Sequence, residues 1–109
     1  MESATAQIYL QLGKKMFKEK IEVPRATLDV LRYEKDGLRF FEFDATRCQP
    51  PEPMVNTMVC LSLLENENDR LLGKFFHEPT PLYDKVSDKF VHTAKELESG
   101  DFDIIFQLK

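Results

Sequence analysis

The 109-residue chain has only four glycines and two cysteines. With so few glycines, no glycine-rich loop is available to cradle phosphates. Cys48 and Cys60 stand twelve residues apart, with no Cys-x-x-Cys pair and no histidine at ligand spacing. A cysteine-based metal site is therefore excluded, and two reduced thiols are expected. No apolar run approaches the roughly 20 residues of a membrane span. The first residues, Met1-Glu-Ser-Ala-Thr-Ala, show no basic region followed by an apolar one. A secretory signal is not expected, and a cytoplasmic location is. No Ser–His–acid spacing suggests a nucleophilic hydrolase, so no catalytic residue and no cofactor are expected.

What is present is ordinary for one folded domain: 42% hydrophobic and 31% charged residues. The net charge is −4, with residues 1–38 carrying 7 basic and 6 acidic groups and residues 39–109 carrying 8 and 13. That balance argues against a phosphate backbone as partner, so no nucleic acid and no membrane is expected. Lys14, Lys15, Lys18 and Lys20 cluster, but Glu19 and Glu22 dilute them into a solvated helix face.

Over residues 4–20, Thr5, Ile8, Tyr9, Leu12 and Met16 fit a helical stripe that Ser3 could cap. Ile8, Leu10 and Leu12 also alternate like a strand; the abundance of Gln, Lys, Met and Leu favours the helix, which Val23-Pro24 would end. Thr27–Glu34 and Leu38–Phe43 flank Asp36-Gly37, which reads as a β-hairpin. A short helix from Pro24 to Tyr33 is the competing reading, and Leu38–Phe43 is a strand under both. Pro50, Pro51 and Pro53 brake the chain and open a helix whose Met54, Val55, Met58, Val59 and Leu61 share one apolar face. Asn56, Thr57 and Cys60 fall on its other side. Leu71–Phe76 is a strand, Pro81–Phe90 a short helix, Thr93–Leu97 a strand, and Phe102–Leu108 a last, half-buried strand.

The order β-α-β-α-β-β implies a right-handed crossover and a parallel first pair. The expected fold is an α/β (α+β) two-layer sandwich: a mixed four-stranded sheet with both helices on one face. An N-terminal helix and an extra strand complete it. Residues 1–38 form an extension and residues 39–109 the domain. If the first two strands are parallel, the Arg47–Pro53 and His77–Pro81 turns leave the sheet at one edge. Two helix N-termini then face one region, suited to an anion or polar ligand. Arg47, Cys48, Glu52, His77 and Glu78 are its candidate ligand-binding groups, and no metal site is expected.

At these turns the chain resembles a known superfamily. Asp44-Ala-Thr-Arg-Cys-Gln-Pro-Pro51-Glu52-Pro53 is similar to the leader of TusA/SirA-like sulfur carriers, Leu-Asp-Ala-x-Gly-x-x-Cys-Pro-x-Pro. Asp44, Ala45, Pro51, Glu52 and Pro53 match. His77-Glu-Pro-Thr-Pro-Leu-Tyr83 resembles the second turn of an uncharacterised branch of that superfamily. The likeness covers residues 39–109 and implies a two-layer α/β sandwich. In the carriers a cysteine directly precedes Pro-x-Pro and holds the persulfide. Here that position is Pro50, whose ring cannot carry sulfane sulfur. The resemblance thus implies a non-enzymatic accessory module in sulfur or redox metabolism that binds a protein partner or small polar ligand at the two-turn edge. The alternative is persulfide transfer through Cys48, with Arg47 and a helix N-terminus depressing its thiol pKa. Cys60 is expected to serve packing.

Overall fold

The computed structural model describes residues 17–109. Among these residues six strands and two helices follow one another: β1 (Glu19–Ile21), β2 (Val30–Lys35), β3 (Leu38–Ala45), α1 (Glu52–Leu61), β4 (Asp69–Phe75), α2 (Thr80–Val86), β5 (Phe90–Glu96) and β6 (Phe102–Leu108). The strands form one sheet in the order β1-β2-β3-β4-β6-β5. Only β3 and β4 pair parallel, and every other neighbour is antiparallel.

The sheet has six strands where a four-stranded sheet with one extra strand was expected: β2 is that extra strand, and β1 was not foreseen. Both lie before residue 38, so the anticipated boundary between extension and domain falls inside a hairpin of one continuous sheet. Asp36 and Gly37 both have positive φ, at 54° and 80°, which is the type I′ geometry that matches strand twist. Lys35 and Leu38 pair directly across it. The hairpin reading of residues 27–43 holds, and the helix from Pro24 does not form.

The expected N-terminal helix, placed at residues 4–20, is corrected where it can be seen. Glu19–Ile21 are a strand paired with β2, and Arg32 reaches across to Glu19 at 2.8 Å. The remainder of that expectation, residues 4–16, lies outside the described residues.

Strict alternation builds the helix-covered face. Phe41, Phe43 and Ala45 of β3 sit opposite Leu71, Gly73 and Phe75 of β4, and Ile104 and Phe106 continue the layer on β6. All are buried, together with Leu61 of α1 and Leu82 and Val86 of α2, so both helices cover the same face. Removing such side chains from water contributes roughly 1.5–3 kcal/mol each. Gly73 is required by space: a Cβ there would lie 2.7 Å from the Phe75 ring and 3.0 Å from that of Phe43. Those two rings meet edge to face at 5.8 Å.

The opposite face carries its own ladder of charge. Asp44, Lys74, Asp103 and Lys95 stand side by side across β3, β4, β6 and β5, alternating in sign. Opposite charges directly across from one another stabilise a sheet modestly, and this row balances itself.

α1 is rotated from its expected orientation, with Leu61 still facing inward but Val55 and Met58 facing out. Asn56, Thr57, Cys60 and Leu61 are buried, while Val55 and Met58 are 42% and 46% exposed. Six of its ten residues are Met, Val, Cys or Leu, so apolar periodicity scarcely distinguishes one side from the other. Specific bonds decide. Asn56 Oδ1 accepts the backbone N–H groups of Thr27 and Leu28, and its Nδ2 donates to Thr27 Oγ1 and to the Glu52 carbonyl. The Thr27 hydroxyl donates to Glu52 Oε2, one turn earlier on the helix. Thr57 Oγ1 returns a bond to the Pro53 carbonyl. Every buried polar group on this side is satisfied, which makes polar residues tolerable there.

Candidate functional site

Because β3 and β4 run parallel, the chain leaves both at the same end of the sheet. The turn after β3 carries three prolines into α1, and the turn after β4 carries two into α2. Between them lies a pocket of about 300 Å³. The two proline corners do share one rim.

Its walls are apolar. Pro50, Pro51, Pro53 and Met54 form one side, and Pro79, Pro81 and Leu82 the other. Ala45 and Phe75, at the paired ends of β3 and β4, form the floor. Phe76, 57% exposed, stands at the mouth with its ring 4.3 Å from that of His77.

The helix starts do not make an anion cradle. Proline has no N–H, and it occupies the N-cap and a first-turn position of both helices. The neighbouring amides are already committed: Glu52 N–H to the Gln49 carbonyl, Thr80 N–H to that of Glu78, and Leu82 N–H to that of Pro79. The proline ring surfaces, and not free donors, face the pocket.

Of the five residues nominated from sequence, Cys48, His77 and Glu78 line the pocket. Arg47 is exposed on the turn and lies outside the lining, as does Glu52, which is held by Thr27. Glu78 is held as well, its Oε2 accepting the Tyr83 hydroxyl at 3.0 Å. Burial, with the Glu78 carboxylate beside it, raises the Tyr83 pKa. The Tyr83 ring lies flat on the His92 ring, with centroids 3.5 Å apart. Neither Tyr83 nor His92 lines the pocket; they stand behind Glu78, and the Glu78–Tyr83 spacing, five apart across a helix start, was the available signal for that support.

The thiol of Cys48 is half-buried, and its pKa moves up. Desolvation is the largest cause, followed by the neighbouring Glu52 carboxylate and a smaller effect of Asp44. This reverses the expected depression by Arg47 and the helix start. Cys60 is fully buried in α1, where desolvation pushes its thiol up to about 11, in keeping with a packing role.

Among the described residues no helix is long and apolar enough to cross a membrane. Comparison with known proteins finds no matching family model, no curated relative and no solved structure.

Proposed function

We propose that the chain is a non-enzymatic binding module whose two-turn pocket receives an apolar side chain of a protein partner. The observation that carries this reading is the pocket's lining: prolines, Ala45, Met54, Phe75, Phe76 and Leu82 make up most of it, with Cys48, His77 and Glu78 the other groups. Desolvating apolar walls favours an apolar guest, whereas a small anion would find few free donors. The resemblance to sulfur carriers that lack the carrier cysteine supports a scaffold redeployed for recognition. The order β3-α1-β4-α2-β5-β6 is the one that resemblance implies. Persulfide transfer through Cys48 is the weaker reading, because a raised thiol pKa leaves little thiolate near neutral pH.

Selection of a displayed random-peptide library on the purified chain tests this. Enriched sequences should share one bulky apolar residue, and their binding should be lost in Met54→Glu with the circular dichroism unchanged. A selection that enriches nothing, or binders indifferent to Met54→Glu, would remove the reading.

A further inference from the structure

The rotated helix extends the pocket into something longer. Met54 lines the two-turn pocket, and Met58, one turn further along α1, lines a second hollow with Leu61, Val86 and Phe90. Residues four apart share a helix flank, so Met54 and Met58 both face α2. The pocket and the hollow thus lie in line between α1 and α2. Val55, at 42% exposure, widens the apolar strip on the outer side of α1. Methionines are well suited to such a strip, since the thioether chain adapts to different guests.

The two ends differ in charge. At the pocket end the charged lining group is Glu78, a carboxylate held in place by Tyr83. At the other end Lys85 and Lys89 flank the hollow, with Asp88 beside them, for a net charge of +1. Among the described residues neither lysine has an ion-pair partner.

We infer that this groove docks an amphipathic segment of another protein carrying two apolar anchors and an acidic end. This rests on the pocket reading above and specifies its partner. One anchor enters the two-turn pocket, the other the hollow at Met58, and the acidic end meets Lys85 and Lys89. The hollows are separated by about the Met54-to-Leu61 span, seven residues or roughly 10 Å of helix. A helical guest would meet that span with anchors seven apart. Charge complementarity selects the acidic end, because the opposite polarity would set like charges against the lysines.

The test uses the full chain and three labelled synthetic 14-residue peptides, read by fluorescence anisotropy. All have an Ala/Gln background. The first carries leucines seven apart with two glutamates beside one leucine; the second replaces those glutamates by lysines; the third replaces the leucines by serines. The acid-ended peptide should bind at least tenfold more tightly than the lysine-ended one in low salt, with the gap closing as salt rises. The serine peptide should not bind. Lys85→Glu with Lys89→Glu should reverse the charge preference, and Met58→Glu should abolish binding while leaving the thermal midpoint in place.

Equal binding of the two leucine peptides overturns the acidic polarity and with it the inference. Failure of all three overturns the groove, and the pocket reading then stands or falls separately on single-anchor peptides from the library. If the chain alone sediments as a dimer and Met58→Glu makes it monomeric, the groove belongs to a second copy and the inference is overturned.

Discussion

Asn56 and Thr27 hold each other twice across 29 residues of sequence. The Thr27 amide donates to Asn56 Oδ1 at 2.8 Å, and Asn56 Nδ2 donates to Thr27 Oγ1 at 2.8 Å. This pair ties the loop before β2 to the buried side of α1 and sets the helix's rotation. The exposure of Val55 and Met58 is the consequence.

Replacing Asn56 should therefore be costly. Asn56→Leu leaves the amides of Thr27 and Leu28, both in part-buried bonds, without their acceptor, and losing a buried hydrogen-bonding partner costs about 1–3 kcal/mol. Urea denaturation should show a lower midpoint, with a loss of at least about 1 kcal/mol. A change below about 0.5 kcal/mol would mean that the pair does not hold the helix. Val55→Glu, by contrast, should leave stability within that margin.

Asp69 makes stability depend on acid. Its buried carboxylate accepts Arg39 Nε at 3.1 Å and a second guanidinium nitrogen at 3.0 Å, and the amides of Glu65 at 2.7 Å and Asn66 at 3.2 Å. Burial alone would raise its pKa, but these donors outweigh it and hold the carboxyl below the usual range. A depressed folded-state pKa contributes stability that is present above the unfolded value, about 3.9, and is lost as pH falls through the folded one. Thermal midpoints should fall steeply below pH 4. Asp69→Asn should be less stable at pH 7 and show a shallower slope below pH 4; an unchanged slope would refute the assignment.

Gly73→Ala probes the packing of the parallel pair. The added methyl meets the Phe75 and Phe43 rings, and overpacking of this kind costs typically about 1–3 kcal/mol. The double variant Gly73→Ala with Phe75→Leu should recover part of the loss. If the single variant melts with the native protein, the rings have more room than their positions indicate.

Cys48 should behave as a slow thiol. Its alkylation by iodoacetamide at pH 7.5 should lag that of free cysteine, and the rate should keep climbing above pH 9. Glu52→Gln removes one of the causes of the raised pKa, so it should speed the reaction at pH 7.5. A native rate faster than free cysteine would restore the nucleophilic reading.

Much of the frame was legible from short-range pattern. Alternation along Phe102–Leu108 marked one strand and the short run Leu71–Phe76 another, Asp36-Gly37 marked the hairpin, and the prolines marked where strands give way to helices. The strand-helix-strand order then implied the parallel pair, and from it the shared rim of the Cys48 and His77 turns. Each of these rests on a local rule that neighbours in sequence can satisfy by themselves. Glu19–Ile21 escaped because three residues on a sheet edge carry no periodicity. The character of the rim escaped too: five prolines were read as helix starts, while their missing N–H groups and apolar ring surfaces shape the pocket.

The rotation of α1 belongs wholly to the tertiary structure. A helix apolar on most of its surface can bury either side at similar gain, so hydrophobicity alone leaves two nearly equal solutions. Bonds from Asn56 and Glu52 to a loop far back in the chain separate them, since a buried polar group is stable only where its partners already wait. The sequence thus determined where the pocket would open, and the fold decided which residues would line the way out of it.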